Sequence, residues 1–487
     1  MSSISAVTGP DVTLRELSVT SATLSPQFSS GRTAYTSYVP HGVESVAVTA
    51  VPGDAAASLS VNGAPVSSGS PSEKIALSPG RNLVEVLVTS SDGSAKNRYT
   101  IKIIRALATP TWIKVQESGP WSPRDSAGEL VFKDRMWLIG GYTPPLVNDV
   151  WSTSDGKEWT PAGVIPDPIG VNIPVNLVHN DQMWVTSNDG KLYSSPDGAT
   201  WTLVTDQAPW RGRYGAGGVV FNGKMWAMGG LKKEGELFND VWSSKDGVQW
   251  TLETEHAAWS PRQIFGMLAV HDSKIWLLGG GISIYHPFKA YNDVWTSADG
   301  KKWTLVTDAA PWPARIWSTS AVYRNRLWLI GGFRAEPTWN NFDDVWYSMD
   351  GKDWRQLQCE TVWSPRHEIS AYVFGDKLWV VGGNAWPLMN DVWSLQITAL
   401  TFLSQPVIEE FANAQYSYRA QADFNASRTK IRYRLIESPD WLKIDAETGF
   451  VRGTSTTPGD YPVTIEAYDN TGETARQSYT LHVVPVG

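Results

Sequence analysis

The sequence predicts an all-β protein in which a ring of six repeated four-stranded units lies between two smaller β-sandwich domains. The chain is rich in Trp and Gly, with 26 Trp and 42 Gly among its 487 residues, and only 18% of its residues are charged. One pattern of short apolar strands recurs through its middle, and apolar residues alternate with polar ones towards both ends. Because aromatic and β-branched residues favour strands and Gly favours turns, these observations indicate β structure throughout.

Each repeated unit contains a short apolar strand with a Trp, and in most units a Gly pair, a loop and an Asp-Val-Trp strand follow. An Asp-Gly pair then favours the tight turn of a hairpin, and another Trp begins the outermost strand. The first Trp of each unit recurs with a period of about 50 residues, which is typical of propeller repeats. These tryptophans are Trp137, Trp184, Trp226, Trp276, Trp328 and Trp379.

With this pattern of Gly-Gly and Asp-Val-Trp, residues 110–397 resemble the kelch repeats of β-propellers. The resemblance implies a six-bladed kelch-type β-propeller over residues 107–399, with four antiparallel strands in each blade. The sixth unit ends at Trp393 without a fourth strand, whereas a spare strand at Trp112 precedes the first unit. We expect the spare strand to complete the sixth blade and close the ring. The second unit lacks the Gly pair, which predicts a short loop there.

The two ends resemble known sandwich domains. Residues 1–106 resemble the bacterial cadherin-like β-sandwich, and residues 400–487 are similar to the Ig-like, dystroglycan-type cadherin-like module. The first resemblance is carried by Leu14, Leu17, Leu24, Phe28, Gly80, Asn82, Tyr99 and Arg105. The second is carried by Trp441, Leu442, Ile444, Asp445, Thr448, Gly449, Val451, Gly453, Tyr461 and Val463. Asp445, Asp460 and Asp469 are dispersed along the second domain, so we expect them to cap turns rather than to bind calcium.

Composition excludes several classes of function. The net charge of −8 argues against a nucleic-acid partner, because no basic excess exists to neutralise phosphates. A single cysteine, Cys359, excludes an internal disulfide framework, and we expect no cofactor and no bound metal. No apolar run approaches the roughly 20 residues that span a bilayer. Residues 1–8 lack a signal-peptide pattern, so we expect a removed leader, another export route or retention in the cell.

Two sets of loops share one face of such a propeller, here called the top face. They are the leading loops, each of which leads into an innermost strand, and the loops between second and third strands. The leading loops contain Arg124, Arg213, Arg262, Arg315 and Arg366. These arginines could bind a carboxylate, phosphate or acidic sugar through bidentate hydrogen bonds. Their repetition favours the alternative that each pairs with carbonyl groups or an Asp and holds its loop in place.

The loops between second and third strands are longest in the fourth and fifth units, and they carry aromatic residues. Exposed aromatic rings beside polar groups suit sugar recognition and also suit a protein epitope. We therefore predict a surface for a glycan or protein ligand, to which the five arginines would add. Its aromatic members are Tyr285, His286, Phe288, Trp317, Trp339, His367 and Trp386.

The sequence favours a non-catalytic recognition or adhesion protein in an extracellular, cell-surface or particle-associated setting. Sandwich spacers beside a recognition domain are common in such proteins, including bacterial and phage proteins, and both sandwiches are expected to leave the ring opposite the top face. The alternative is a glycan-active enzyme like the sialic-acid mutarotases, using Arg124, Arg366, Asp125 and Glu368. A galactose-oxidase-like enzyme is excluded because Cys359 lies in an outer strand. A structural decoration or spacer of a larger assembly is the third possibility.

Overall fold

The computed structural model describes residues 10–39, 43–78, 80–106, 110–283, 287–359, 362–397 and 399–485. Within these ranges the regular structure consists of strands without helices, so the all-β prediction is confirmed. No helix of the described residues is long and apolar enough to cross a membrane. The chain divides into two compact units, Pro110–Thr398 and Met1–Thr109 together with Ala399–Gly487.

The N-terminal sandwich contains nine strands: β1 (Leu14–Val19), β2 (Ala34–Val39), β3 (Ser45–Val46), β4 (Val48–Pro52), β5 (Ser58–Val61), β6 (Ala64–Val66), β7 (Ile75–Ala76), β8 (Gly80–Thr89) and β9 (Lys96–Arg105). Its main sheet has the order β2-β9-β8-β5-β6, and two smaller pairs are β1-β4 and β3-β7. Val84, Val86 and Val88 alternate into the core from β8, as the sequence pattern predicts. The Leu14 amide donates to the Tyr99 hydroxyl at 2.8 Å, which joins β1 to β9.

The C-terminal sandwich contains nine strands, β38 to β46. Their bounds are β38 (Thr401–Phe402), β39 (Glu409–Phe411), β40 (Tyr416–Arg419), β41 (Ala422–Asp423), β42 (Arg432–Glu437), β43 (Lys443–Ile444), β44 (Phe450–Gly453), β45 (Gly459–Tyr468) and β46 (Thr474–Val484). The main sheets are β39-β46-β45-β42 and β40-β44-β43. The Asp445 carboxylate accepts the Thr448 amide at 2.8 Å, and Asp469 accepts the Thr471 amide at 2.9 Å, so both acids cap turns.

The two sandwiches belong to one compact unit and are joined by a charged contact. Lys102 Nζ on β9 lies 2.5 Å from Glu409 Oε1 on β39, and Arg81 Nη1 on β8 lies 3.6 Å from the other oxygen. All three side chains are partly shielded from solvent, which strengthens such a contact relative to a fully exposed pair. Ion pairs to Glu409 therefore connect the N-terminal sandwich to the C-terminal sandwich.

The propeller contains the 28 strands β10 to β37. Their bounds are β10 (Ile113–Gln116), β11 (Gly128–Phe132), β12 (Arg135–Tyr142), β13 (Leu146–Thr153), β14 (Thr160–Val164), β15 (Asn176–His179), β16 (Gln182–Thr186), β17 (Leu192–Ser195), β18 (Thr202–Thr205), β19 (Arg213–Tyr214), β20 (Gly217–Phe221), β21 (Lys224–Met228), β22 (Leu231–Lys232), β23 (Val241–Ser244), β24 (Thr251–Thr254), β25 (Leu268–His271), β26 (Lys274–Ile282), β27 (Lys289–Ser297), β28 (Thr304–Thr307), β29 (Thr319–Tyr323), β30 (Arg326–Ile330), β31 (Phe333–Arg334), β32 (Asn340–Asn341), β33 (Val345–Ser348), β34 (Trp354–Gln356), β35 (Ser370–Phe374), β36 (Lys377–Asn384) and β37 (Leu388–Leu395).

These strands form six four-stranded antiparallel sheets, which we call blades one to six. They are β11-β12-β13-β14, β15-β16-β17-β18, β20-β21-β23-β24, β25-β26-β27-β28, β29-β30-β33-β34 and β35-β36-β37-β10. The innermost strands contact one another in sequence, and β35 of blade six contacts β11 of blade one. The strand that precedes blade one completes blade six, with Lys114 opposite Trp393, as the sequence predicts. The ring is therefore closed by a strand from the N-terminal side of the chain.

The Asp-Gly turns join neighbouring blades. Each turn glycine has a positive φ, and an added Cβ would collide with the first Trp of the preceding blade. At Gly198, for example, the φ angle is 76° and the added Cβ would lie 2.0 Å from a ring carbon of Trp137. The Asp197 carboxylate accepts the backbone amides of Ala199 and Thr200, which fixes the turn. A glycine is therefore required both by the backbone conformation and by the tryptophan that packs on it.

A buried ion pair explains why Arg, Gly-Gly and Asp-Val-Trp recur together. In blade one, Arg124 Nη1 lies 2.6 Å from Asp149 Oδ1 and donates to the carbonyl of Gly140. The Trp151 indole donates to the other Asp149 oxygen at 2.7 Å. The same arrangement recurs for Arg213 with Asp240, Arg262 with Asp293, Arg315 with Asp344, and Arg366 with Asp391. One guanidinium group thus holds the leading loop, the Gly pair and the third strand of its blade.

Blade two differs from the others, as its sequence predicts. It lacks the Gly pair, and only a short turn connects β16 to β17, closed by a bond from the Ser187 amide to the Lys191 carbonyl. Here Asp167 accepts hydrogen bonds from Lys191 and from the Tyr193 hydroxyl, at 3.3 Å and 2.9 Å. The acid comes from the loop before β15, so a different set of residues provides an equivalent anchor.

We expect Trp112→Ala to destabilise the propeller by about 3–5 kcal/mol, because it removes a buried indole at the closing strand. Trp112 packs edge-on against Trp363, with ring centroids 6.1 Å apart. The matched control is Ile113→Ala on the next residue, whose side chain is 62% exposed and should change stability by less than about 0.5 kcal/mol. Urea unfolding followed by tryptophan fluorescence measures both, and equal midpoints would show that this strand does not close the ring.

We expect Asp293→Ala to cost about 3–5 kcal/mol, because it leaves the buried Arg262 guanidinium without its counter-ion. The double variant Arg262→Met with Asp293→Leu removes both charges and should unfold at a higher denaturant concentration than the single variant. A double variant as unstable as Asp293→Ala would mean that the geometry of the pair, rather than the unpaired charge, dominates the loss.

Candidate functional site

The top-face loops of blades five and six bring aromatic side chains together around Phe333. Phe333, on β31, is fully buried. Its ring centroid lies 5.5 Å from that of Trp317, 5.4 Å from that of Trp339 and 5.5 Å from that of Trp386. These centroid distances are those of favourable aromatic pairs. We call Phe288, Trp317, Phe333, Trp339, His367 and Trp386 the aromatic cluster.

Two members of the cluster present their indole rings to solvent. Trp339 is 61% exposed and Trp386 is 50% exposed, although both are large apolar side chains. Their centroids are 6.0 Å apart and their planes differ by 32°, so the rings form a gently angled surface. We call this pair the tryptophan platform. An exposed pair of this size is unusual in a region whose other tryptophans are mostly buried, which makes it a candidate contact surface.

The platform rests on the buried ring of His367 and the partly buried ring of Trp317, which fix its position. Trp317 stacks on His367 at 5.2 Å, with an angle of 24° between the planes, and His367 contacts Trp386 at 5.3 Å. Trp317 and Trp386 both have positive φ angles, 55° and 45°, which bulky residues rarely adopt. Such backbone conformations persist only where the surrounding structure enforces them, and they concentrate at functional sites.

The structure brings together five of the seven aromatic residues that the sequence places at the site. Phe288 lies at the edge of the cluster, 6.2 Å from Phe333. Tyr285 and His286 lie outside the described residues, so their assignment to the site stays a prediction. Phe333 itself was missed, although its place directly after a Gly pair and at the start of a long loop was a usable signal.

A chain of hydrogen bonds runs from the cluster to blade one. His367 Nδ1 lies 2.7 Å from Asn341 Oδ1, and Asn341 Nδ2 donates to the Asn384 carbonyl at 2.8 Å. Asn384 Nδ2 in turn donates to Asp125 Oδ2 at 2.8 Å. Asn341 follows Trp339 and Asn384 precedes Trp386, so both arms of the platform are tied to the same network. Neither asparagine was recognised from the sequence.

Asp125 and Glu368 end this network as a buried pair of acids. The Ser126 hydroxyl bridges them, at 3.0 Å from Asp125 Oδ1 and 2.7 Å from Glu368 Oε2. Burial raises the pKa of Glu368 well above its usual range, and the neighbouring Asp125 carboxylate raises it further. Burial also raises the pKa of Asp125, although bonds from Asn384 and Ser126 oppose that shift. Burial lowers the pKa of His367 to about 3, so its ring is neutral at pH 7.

The geometry of the five leading-loop arginines disfavours their interpretation as a ligand-binding ring. The guanidinium groups of Arg124, Arg213, Arg262, Arg315 and Arg366 are bound to Asp149, Asp240, Asp293, Asp344 and Asp391. Four of the five are fully buried, and Arg213 is only slightly less so. Their hydrogen-bonding capacity is largely used within their own blades. The alternative interpretation, that they hold the leading loops in place, is the one that matches the geometry.

A separate cavity of about 120 Å³ lies between innermost strands of the ring. Glu129, Asn176 and Ser320 line it together with several glycines, and burial raises the pKa of Glu129 well above its usual range. No member of the aromatic cluster lines this cavity. The exposed tryptophans and the network behind them therefore remain the better candidate for ligand binding.

Three family models match the chain. Residues 14–106 match the Cadherin-like beta sandwich domain, and residues 399–484 match the family described as "Putative Ig domain". Residues 109–405 match the DUF6242 beta propeller domain. The sandwich, propeller and Ig-like predictions are confirmed by these matches, while the kelch character of the repeats stays a prediction.

No curated protein matches the chain. Among solved structures, the one described as "Structure of YjhT" is similar, with 14% sequence identity and a TM-score of 0.48. The alignment covers 58% of this chain and 97% of that one. The propeller family model, in contrast, spans well over half of the present sequence. The chain therefore belongs to the DUF6242 β-propeller domain family.

Proposed function

We propose that this protein is a non-catalytic recognition or adhesion protein that binds a glycan on the tryptophan platform. The observation that carries the proposal is the exposure of Trp339 and Trp386 as a pair of rings from neighbouring blades. The C–H faces of a pyranose ring pack well on such surfaces, and nearby polar groups bond its hydroxyls. Thr338 and Asn340, on either side of Trp339, are exposed and supply polar groups of this kind.

The rigidity of the platform supports a binding role. Phe333 and His367 are buried under the two indoles, and the network through Asn341 and Asn384 fixes both loops. A surface that is held in place before the ligand arrives loses little conformational entropy when it binds. This favours recognition of a compact ligand such as the end of an oligosaccharide.

The domain composition supports a location outside the cell. Cadherin-like and Ig-like sandwiches are typical of extracellular proteins, and here they flank the propeller in the chain. In the proposed arrangement the sandwiches serve as a base or docking part in a surface or particle-associated assembly. Their departure from the ring opposite the top face stays a prediction.

The enzymatic alternative has less support. A mutarotase-like site would need Arg124, Arg366, Asp125 and Glu368 to face one substrate. Arg124 and Arg366 are instead bound to Asp149 and Asp391, which leaves only the two acids available. The same commitment of arginines disfavours an acidic sugar bound by bidentate guanidinium bonds, so we expect a ligand recognised mainly by ring packing.

A glycan array with neutral-hexose, N-acetylhexosamine and sialic-acid termini tests this proposal on the full chain. For an oligosaccharide that binds, Trp339→Ala and Trp386→Ala should each weaken the affinity by about 2- to 12-fold, since each removes roughly 0.5–1.5 kcal/mol of ring contact. Isothermal titration calorimetry measures the affinities.

The control is Tyr38→Ala, which removes an aromatic ring that is 68% exposed on the N-terminal sandwich and should leave the affinity unchanged. All three variants should remain folded, with the two tryptophan variants losing only about 0.5–1.5 kcal/mol of stability from their contacts with Phe333. Absence of any glycan ligand, or a ligand whose affinity survives both tryptophan substitutions, would contradict the proposal. If the full chain binds a protein through Trp339 and Trp386 but binds no glycan, the alternative of a protein-binding surface is supported.

A further inference from the structure

Three side chains that commonly bind metal ions converge where blade six meets blade one. They are Asp125 from the leading loop of blade one, and His367 and Glu368 from the leading loop of blade six. One possible ligand atom from each lies within 4.8 Å of those of the other two, and all three residues are buried. A single ion could therefore reach all three with small side-chain adjustments.

The acids of this group have no positively charged partner among the described residues. The two closest arginines in the sequence, Arg124 and Arg366, are bound to Asp149 and Asp391. No ion pair to Asp125 or Glu368 occurs in the part of the chain that the structure describes. Two buried carboxyl groups whose oxygen atoms lie within 4.8 Å of each other require either a shared proton or a bound cation.

The imidazole of His367 is prepared as a ligand by its neighbour. Asn341 uses its amide nitrogen to donate to the Asn384 carbonyl, so its oxygen faces His367 Nδ1 at 2.7 Å. Nδ1 must then carry the ring proton, and Nε2 keeps a free lone pair. His367 forms this hydrogen bond through Nδ1, which leaves Nε2 available as a ligand atom. Metal-binding histidines are held in this way, with the second nitrogen donating to an oxygen.

The carboxylates are oriented by outer partners of the same kind. Asn384 Nδ2 donates to Asp125 Oδ2, and the Ser126 hydroxyl lies 2.7 Å from Glu368 Oε2. On Asp125 the Ser126 hydroxyl bonds Oδ1 and the Asn384 amide bonds Oδ2, whereas on Glu368 these outer partners bond Oε2 alone. Ligands with fixed orientations lose little freedom when a metal binds.

We propose that Asp125, His367 and Glu368 form a binding site for a divalent first-row transition cation such as Zn²⁺ or Mn²⁺. One imidazole and two carboxylates suit these ions better than Ca²⁺, which prefers a larger set of oxygen ligands. Three protein ligands leave coordination positions for water or another small ligand. The ion would replace the proton of the acid pair and link blade one to blade six, independently of any glycan on the platform.

The test uses the full chain after EDTA dialysis, with ZnCl₂ and MnCl₂ as probes and MgCl₂ as the comparison. Calorimetry should give one site per chain, and the unfolding temperature should rise with the concentration of the bound metal. Glu368→Gln and His367→Gln should each abolish the site. Asn341→Leu should weaken binding by about 10- to 100-fold, as loss of an outer partner does.

The matched control is His482→Gln in the C-terminal sandwich. His482 Nδ1 lies 2.6 Å from Asp460 Oδ1 and could bind Zn²⁺ weakly at the surface, so this variant removes a rival pair. Binding that survives His482→Gln and is lost in both Glu368→Gln and His367→Gln supports the proposal. Failure of the parent chain to bind either metal, or equal binding by the parent and both site variants, overturns it and leaves the acid pair holding a proton.

Discussion

The buried arginine–aspartate pair is the interaction on which the rest of the propeller depends. In every blade except the second, one guanidinium group ties the leading loop to the Gly pair and to the Asp-Val-Trp strand. One or two positions after these arginines come Asp125, Trp317, His367 and Glu368, which belong to the candidate site or to the network behind it. Because the arginine fixes the conformation of the leading loop, it also fixes the direction in which the side chains of those residues point. A charge used for folding thus sets the geometry of the candidate binding surface.

The pairing of these arginines with aspartates also explains why the candidate site contains acids without a cationic partner in the described ranges. The arginines that could have neutralised Asp125 and Glu368 are bound elsewhere, so the acids are left with a hydroxyl, an amide and one imidazole as neighbours. Next to them lie the rings of Trp317 and Trp386, which contact His367. The exposed aromatic surface and the pair of acids without a cationic partner in the described part of the chain therefore lie next to each other, and His367 contacts the first and is grouped with the second.

The fold was largely predictable because its signals are local and repeat. Asp-Gly turns, Gly pairs and the first tryptophans determine blade geometry through contacts within a unit or with the next one, and even the closing strand at Trp112 followed from counting. The aromatic cluster was partly predictable, since Trp339 and Trp386 lie in top-face loops. Glu368 could be named as a candidate acid from the sequence, but its bond to Ser126 could not, because that bond joins residues 242 positions apart. Nor did the sequence show that the arginines prefer aspartates 25 to 31 residues downstream to a ligand.

The closure of the ring by β10 has a mechanical consequence. The antiparallel partners β10 and β37 place Ile113 opposite Ser394, so the chain enters and leaves the propeller at the same end of one strand pair. Tension between the two ends of the chain would reach this strand pair once the Lys102–Glu409 contact between the sandwiches is broken, and the hydrogen bonds of the pair would then break one after another rather than together. Heat would act on all six blades at once, whereas a pulling force on the chain ends would act on the β10–β37 pair alone. Under such a load the propeller would therefore open first at blade six, between β10 and β37.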